Sequence, residues 1–458
     1  MTDSFIFLTI LAALCTFYIG VSYFISKSIH SKKDFFLGGR SFGVFPIAAT
    51  LLATQVGGGM FLGTAQEPIK GLLYIIGLAI GFLVLGFGIA EKYRNCGAET
   101  ISEVLGQKYN SALLSNICGF ISLASIIGIL LGQAVAARSV LLYFGGENTW
   151  YVFPLFWLSM VAYTFIGGLS AVIFTDMIQI AIVILVFTGI FLHLIFNAPE
   201  ILLSPEGFGS ITNLFAHTKL TSADVSRLVM IPILFSIITQ DLAHRFFAAK
   251  NGLTAKLSAT YAGVALLFFG FIPFFFGLRA KLEPIIIQKG VSPLLPYLQA
   301  HTSAFFFILA ACGLIAAIGS TIDGLLCAGS SVVANLYTRI SNHADNKVSL
   351  SQKIVFIFGT LILIASYFMP ASIIDLLVNS YEISVACLIV PVLFALFTTK
   401  KHLNWHSGLF AMIFGFSGLM VSKIGTYLFL ETWGFLLALI LSVLGHFIGD
   451  FLYTRTDA

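Results

Sequence analysis

Apolar runs long enough to cross a lipid bilayer recur along the whole chain of 458 residues. One crossing needs about 20 apolar residues in a helix. We count thirteen such runs. They lie near residues 4–26, 42–68, 71–91, 113–143, 150–168, 170–197, 226–247, 256–278, 303–338, 351–374, 378–399, 404–424 and 430–453. The chain is therefore predicted to be an all-α polytopic membrane protein.

The composition supports this class and excludes several others. Hydrophobic residues make up 58% of the chain and charged residues 10%, with a mean hydropathy of +0.99; a soluble domain has about 25% charged residues. The net charge is +4, and the basic residues lie in short loops between the apolar runs, so we expect no nucleic-acid partner. The six cysteines lack the spacing of a zinc site or a disulfide framework. The sequence contains neither a Walker loop, which would indicate ATP-driven pumping, nor an HExxH motif, which would indicate metalloprotease chemistry.

Thirteen spans place the loops alternately on the two sides of the membrane, and lysine and arginine are distributed unevenly between those sides. With the N-terminus outside, 16 of these 24 residues fall on inward loops and 8 on outward loops. Cytoplasmic loops are enriched in lysine and arginine. The bias predicts a multi-pass protein of the cell (inner) membrane, with the N-terminus outside and the C-terminus cytoplasmic. The N-terminus lacks a basic region and a cleavage site, so we expect the first span to be retained.

Three consecutive glycines, Gly57 to Gly59, interrupt the second apolar run, TLLATQVGGGMFLGTA. Each glycine in a helix interior costs about 1 kcal/mol relative to alanine. Broken backbone inside a membrane persists only where a cavity, an ion or a substrate satisfies its polar groups. Broken helices of this kind mark the binding sites of secondary transporters. Close helix packing by small residues is the other interpretation of this stretch, and it stays open here.

A second informative stretch, GGLSAVIFTDMIQ, opens the sixth predicted span. Gly167 and Gly168 predict a tight turn between two helices. Asp176 and Gln179 stand three residues apart, so they share one helix face and are predicted to point into the bundle. A carboxylate inside a membrane usually faces a polar cavity or a partner. The alternative is an aspartate solvated at the inner surface.

The ninth predicted span contains AAIGSTIDGLL. Ala317, Ser320 and Thr321 bring one carbonyl and two hydroxyls to one helix face. Such neutral oxygens suit a sodium ion that must be released again. Serine and threonine hydroxyls also bond to their own helix, which is the structural alternative. Asp323 strengthens the functional interpretation, because an ionisable residue three positions from Ser320 needs a reason to be there.

Two further segments carry polar groups. ITQDLAHRFFAAK closes the seventh span, where Asp241 and Arg245 at i and i+4 can pair as an inner gate or a structural pair. Residues 97–109 are predicted to form a short interfacial helix on the inner side. Residues 198–225 are predicted to be an external loop.

These stretches together resemble the bacterial sodium/solute symporter family, from about Lys33 to Lys401. KDFFLGGRSFG followed by ATLLATQVGGGMFLGTA resembles the first core helix of that family. GGLSAVIFTDMIQ resembles the family signature, and IGSTIDGLLCAGSSVVANLY resembles its sodium helix. TQDLAHRFFAAK is similar to its Q-x-x-x-x-R-x-x-A-A-K element.

The resemblance implies an inverted repeat of two five-helix units, each with a broken first helix. One extra helix and an inner loop occupy 1–41. The first repeat occupies 42–197 and the second 226–399, with 198–225 between them. Two trailing helices and a short inner tail fill 400–458.

The resemblance also implies roles for particular residues. The sodium ligands fall on Ala53, Val56, Ala317, Ser320 and Thr321. Substrate is expected near Gln55, Gly57 and Gly58. A role in coupling or gating is implied for Asp176. Further candidates for such a role are Gln179, Asp241, Arg245 and Asp323. Choline carriers of the family have tryptophans at the positions of Gln55 and Thr239, and an aromatic cage holds a quaternary ammonium. Choline is therefore not expected as the substrate.

We predict a sodium-coupled symporter that imports a small polar organic solute by alternating access, with one sodium ion per substrate. Its partners are the solute and the lipid bilayer, and no obligate protein partner is evident. Proton coupling through Asp176 or Asp323 is the alternative within transport. A membrane-embedded enzyme would need a catalytic constellation, and we find none. A sensor would need a cytoplasmic output domain, for which the tail after the last span leaves no room.

Overall fold

The computed structural model describes residues 2–197, 220–282, 291–340, 348–368, 373–424 and 434–454. The regular structure in these ranges is helical and contains no strand. The α-helices are α1 (Thr2–Ser26), α2 (Lys32–Leu37), α3 (Val44–Gln55), α4 (Thr64–Gln66), α5 (Pro68–Val84), α6 (Ala90–Asn95), α7 (Ile101–Lys108), α8 (Ala112–Gly145), α9 (Thr149–Asn197), α10 (Ser222–Ile238), α11 (Gln240–Ala248), α12 (Gly252–Phe269), α13 (Phe271–Leu282), α14 (Leu294–His301), α15 (Ala304–Ile340), α16 (Val348–Ser366), α17 (Ile373–Phe397), α18 (Trp405–Ile424) and α19 (Gly434–Thr454).

The predicted all-helical membrane fold is confirmed, but the predicted number of spans is not. In the described ranges nine helices are long and apolar enough to cross a membrane, or up to eleven if each bent pair is one span. That count takes Ala112–Asn197, a stretch of 86 residues, as one span. The stretch is broken at Gly146 and Gly168, which have φ of 53° and 52°. Division into three spans at these breaks would raise eleven to thirteen, which stays a prediction.

Each predicted repeat begins with a broken helix, as expected. Val44–Gln55 and Gly59–Gln66 are bent by 43°. Ser222–Ile238 and Gln240–Ala248 are bent by 41°, with extended backbone at Thr239 (φ −77°, ψ 132°). We call these pairs the first and second broken helices. Their breaks expose helix ends inside the bundle, where backbone N–H and C=O groups need other partners.

The predicted turn at Gly167 and Gly168 is present, and two features of the structure require glycine at position 168. Its φ of 52° lies in the left-handed region, which favours glycine. A Cβ at this position would also lie 2.3 Å from the carbonyl oxygen of Phe35. The turn aims the C-terminal half of α9, with Asp176 and Gln179, into the core, where both side chains are fully buried.

Two predicted connections have different outcomes. The segment 97–109 contains the short helix α7, whose first N–H, at Ile101, donates to Gln240 Oε1 of the second broken helix at 2.9 Å. Of the predicted loop 198–225, residues 198–219 lie outside the described residues. Its last part is helical, because α10 begins at Ser222 with a capping box formed by Thr221 and Asp224.

Helices α8 and α17 approach each other closely beside the first broken helix. A Cβ at Gly128 of α8 would lie 1.9 Å from Oγ of Ser380 on α17. Ser125, one turn earlier, donates to the carbonyl oxygen of Ser380 at 2.8 Å and also contacts the hydroxyl of Ser384. Small residues allow such contact in membrane bundles, where hydroxyls then bond across the interface.

Candidate functional site

The hydroxyls of the ninth predicted span, in α15, reach the first broken helix. Ser320 Oγ lies 3.1 Å from the carbonyl oxygen of Ala53 and 2.9 Å from that of Ala317, so its one proton can bond to either. Thr321 Oγ1 lies 3.0 Å from the carbonyl oxygen of Thr54 and 3.2 Å from that of Ala317. The structure thus brings four of the five predicted sodium ligands together: Ala53, Ala317, Ser320 and Thr321. It adds the carbonyl of Thr54, which the sequence analysis did not identify.

The fifth predicted ligand, Val56, marks the break itself. Its ψ of 61° takes the chain out of the helix, and its side chain is fully buried. Its N–H still donates to the carbonyl oxygen of Leu52 at 2.9 Å. A carbonyl after such a break has no partner within its own helix.

The three glycines serve close packing around this break. A Cβ would lie 2.3 Å from Thr321 Oγ1 at Gly57, 2.3 Å from the Cβ of Ala136 at Gly58 and 2.4 Å from Leu377 at Gly59. None of the three has a positive φ. The stretch therefore combines a break in the helix with close packing. The backbone breaks at Val56, and the glycines let α8, α15 and α17 contact the broken ends. The N–H of Gly58 donates to Gln133 Oε1 at 2.9 Å.

A buried ion pair lies one helical turn away, against α3. Arg245 Nη2 is 3.4 Å from Asp176 Oδ2, and both side chains are fully buried. Thr50 joins them, since its hydroxyl donates to Asp176 and accepts from Arg245 Nε at 2.9 Å. The group therefore connects α3, α9 and the second broken helix.

The predicted side-chain pair of Asp241 with Arg245 is wrong. Arg245 Nη1 bonds to the backbone carbonyl of Asp241 at 2.9 Å, and its ionic partner is Asp176. The Asp241 carboxylate instead accepts a hydrogen bond from the Thr239 hydroxyl. The reason is tertiary, because Asp176 and Thr50 offer the guanidinium a carboxylate and a hydroxyl that the spacing within one helix does not reveal.

Asp323 is fully buried, and neither of its carboxylate oxygens has a hydrogen-bond partner in the described part of the chain. The same holds for both amide atoms of Gln179. Gln179 Nε2 would lie 3.5 Å from a Cβ at Gly319, so its amide packs on α15 one turn before Asp323. Asp323 does not line the cavity described next.

A cavity lies between the two broken helices. It has a volume of about 20 Å³, which is room for roughly one water molecule. Its lining is the following set: Thr54, Gln55, Gly59, Met60, Tyr74, Leu78, Ile129, Gln133, Phe235, Ser236, Thr239, Asp241, Leu242, Thr321, Leu325, Leu377 and Tyr381. Thr54 and Thr321 belong both to this wall and to the cluster of oxygens at the break. Gln55 and Asp241 line the cavity, and Gly57 and Gly58 lie beside it.

Aromatic rings close one end of the cavity. Phe235 and Tyr381 are stacked with centroids 3.8 Å apart, and the hydroxyls of Tyr74 and Tyr381 are 2.9 Å apart. The next residue, Glu382, forms ion pairs with Arg227 and with Lys423, the latter at 2.7 Å. These residues are not among those predicted from the sequence for the site. The only signal in the sequence is the position of Glu382 inside an apolar run.

Comparison with solved structures supports the architecture. A sodium-coupled sialic acid symporter, in a substrate-bound outward-open state, superposes with a TM-score of 0.77 at 15% identity, over 98% of this chain and 98% of that one. Mhp1, a nucleobase-cation-symport-1 family transporter, gives 0.60 at 15% identity in a closed conformation, over 92% of this chain and 94% of that one. Its inward-facing conformation gives 0.51 at 14% identity, over 90% and 91%. At these identities the similarity shows a shared fold.

The family model described as "Sodium:solute symporter family" matches residues 35–415. That match covers most of the chain and includes both broken helices, the oxygen cluster and the ion pair. Family membership makes the protein a multi-pass membrane transporter of a small molecule and not an enzyme, with sodium as the co-transported ion. The chain belongs to the sodium:solute symporter family.

Proposed function

We propose that this chain imports a small polar organic solute together with sodium, by alternating access between the two sides of the membrane. Sodium binds at the break of the first broken helix, between Ala53, Val56, Ala317, Ser320 and Thr321. Substrate binds in the adjoining cavity, beside Gln55, Gly57 and Gly58. Asp176 and Arg245, with Gln179, Asp241 and Asp323 nearby, serve coupling and gating.

The position of Thr321 carries this proposal. Its hydroxyl bonds to the carbonyl oxygens of Thr54 and Ala317, and its side chain also lines the cavity. An ion drawn to these oxygens therefore fixes one wall of the substrate cavity. A ligand that orders a site makes binding of the second ligand easier, and the effect is reciprocal.

Closure on both sides supports alternating access. The cavity holds roughly one water molecule, so a solute enters only after the helices separate. On one side the Tyr74–Tyr381 hydrogen bond joins α5 to α17. On the other, Gln240 bonds to α7, and Arg94 donates to the carbonyl oxygen of Ala249. With the N-terminus outside, the aromatic side is external and the α7 side cytoplasmic.

The energy for uptake comes from the ion. One sodium ion that moves inward through about 100 mV supplies roughly 2.3 kcal/mol, before its concentration gradient is counted. The same sodium must bind the outward-open state and leave on the inside. Neutral oxygen ligands, as found around Ser320, suit such reversible binding.

Sodium-dependent uptake in proteoliposomes tests the function. We expect a metabolite panel to contain at least one solute that accumulates with an inward sodium gradient and does not accumulate with potassium. Purified protein should also unfold at a higher temperature in sodium than in potassium, because a ligand that binds only the folded state stabilises it. Equal stability and equal uptake in both salts would refute sodium coupling.

Proton coupling is a second candidate, and Asp323 favours it. Its carboxylate is fully buried and has no hydrogen-bond partner among the described residues, so it is costly when charged and a proton would stabilise it. Uptake driven by an inward proton gradient in sodium-free buffer would support this alternative. Replacement of Asp323 by asparagine should then abolish that uptake.

A further inference from the structure

The charge of the cavity wall points to a class of substrate. Asp241 is the one acidic residue among the lining residues, and no lysine, arginine or histidine of the described chain lines the cavity. Its side chain is 3% exposed. A buried carboxylate requires a compensating charge or several hydrogen bonds. The wall thus offers one carboxylate to whatever enters.

The local structure holds this carboxylate at the cavity. Asp241 is the second residue of α11, so the positive end of the helix dipole favours its charged form. Thr239, in the break of the second broken helix, donates its hydroxyl to the carboxylate. The helix end and the hydroxyl together fix the side chain where the chain passes the cavity.

The Asp241 carboxylate lacks an ion-pair partner among the described residues. Arg245, one helical turn further along the same helix, is bound to Asp176 and Thr50 and to the Asp241 backbone, not to the Asp241 carboxylate. A cationic substrate in the cavity would supply that partner.

Aromatic rings line the same cavity as Asp241. Tyr74, Phe235 and Tyr381 belong to its wall, and the last two are stacked with centroids 3.8 Å apart. Aromatic rings attract ammonium groups. Gln55 and Thr239 also line the cavity, and their side-chain oxygens can accept hydrogen bonds. Such acceptors favour an ammonium that carries N–H groups.

We propose that the substrate is a small organic cation, a protonated primary or secondary amine, whose ammonium group pairs with Asp241 against the rings of Tyr74, Phe235 and Tyr381. This inference rests on the proposed function, since it names the cargo of the same site. The rival is a neutral solute, with a proton on Asp241 in place of a cationic partner.

Thermal unfolding of the purified full chain tests the substrate class. The probes are matched in size and differ in charge: butylamine and putrescine as cations, butyramide and glycerol as neutral solutes, butyrate and succinate as anions, and alanine and proline as zwitterions. Each is measured in sodium and in potassium. We expect a cation to raise the unfolding temperature in sodium, and the other classes to have no effect. A panel in which no cation stabilises the protein overturns the proposal, whatever the other probes do.

Substitution of Asp241 tests the residue. We expect Asp241→Asn to weaken binding of the stabilising cation by about tenfold or more, because a buried charge pair is lost. Glu91→Gln is the matched control, since it removes one carboxylate outside the cavity, and it should leave that affinity unchanged. Asp241→Asn should keep the sodium-dependent stabilisation, which shows that the variant is folded. Unchanged cation affinity in a folded Asp241→Asn protein overturns the assignment.

The two proposals fail separately in this experiment. If sodium stabilises the protein and no cation binds, the substrate class is wrong and sodium coupling stands. If a cation binds equally in sodium and potassium and sodium alone has no effect, sodium coupling fails and the amine site stands.

Discussion

Gly324 and Arg245 contact each other so closely that a Cβ at position 324 would lie 2.3 Å from Nη2 of the guanidinium. The glycine therefore forms a recess in α15 that a side chain of the second broken helix occupies. In that recess Arg245 reaches Asp176 of α9. A missing methyl group thus allows an ion pair between two other helices.

Gly324→Ala should break this arrangement. The new methyl group forces the guanidinium away from Asp176. Overpacking costs about 1–3 kcal/mol, and a separated buried ion pair about 3–5 kcal/mol. We expect a lower unfolding temperature and slower uptake. Gly20→Ala is the control, because a Cβ there meets nothing within 4 Å. If both variants unfold at the wild-type temperature, the recess has no structural importance.

Ser320→Ala and Thr321→Ala should each raise the sodium concentration needed for half-maximal uptake, with normal membrane insertion. Each change removes one oxygen near the carbonyls of Ala53 and Thr54 and leaves the packing almost intact. Ser331→Ala is the matched control, since Ser331 lies on the same helix and, within the described part of the chain, bonds only to its own turn, at Ala328, at 2.7 Å. The sodium site is misassigned if the two variants keep the wild-type sodium dependence.

Gln55→Ala should weaken substrate binding more than sodium binding. Its side chain lines the cavity, and its backbone is not among the proposed ligands. Gln66→Ala provides the comparison, because Gln66 lies beyond the break of the same broken helix and does not line the cavity. Titrations of substrate at saturating sodium, and of sodium alone, separate the two affinities. A variant with intact substrate affinity and altered sodium affinity would reverse the assignment.

We expect one sodium ion per substrate. The guanidinium of Arg245 already supplies a positive charge at Asp176, so a second sodium has no free carboxylate there. Reversal potentials in proteoliposomes give the ratio. For a cationic substrate, its own charge has to be included in the calculation. A ratio of two sodium ions, reduced to one by Asp176→Asn, would show that Arg245 does not take the place of an ion.

Local patterns were sufficient for the parts of the site that lie on one helix. The spacing of Ala317, Ser320 and Thr321 places their oxygens on one face of α15 whatever surrounds it. The cost of three glycines in an apolar run likewise predicts a break near Gly57. A broken helix in the second repeat followed from the family resemblance, but its break at Thr239 was not predicted, because residues 238–250 alone indicated only a polar helix end.

Contacts between distant parts of the chain could not be derived in this way. Arg245 has a partner at i−4 that the helix geometry permits, yet its ion pair is with Asp176, 69 residues earlier. The choice depends on where α9 lies after its turn at Gly168. Thr50 could have been suspected, since it precedes Ala53 by three residues and shares its helix face. The span count was also uncertain, because the two halves of α9 follow one another with no polar residue at the turn formed by Gly167 and Gly168.

The contact of Gly128 with Ser380 has a consequence for how the carrier moves. Because so little space separates α8 from α17, and hydroxyls bond across it, we expect the two helices to shift and tilt together. Tyr381 lies on α17, and Gln133, which accepts from the N–H of Gly58, lies on α8. We therefore expect the hinge that separates Tyr74 from Tyr381 to lie outside this helix pair, so that the aromatic cover and the support of the glycine break move as one rigid body.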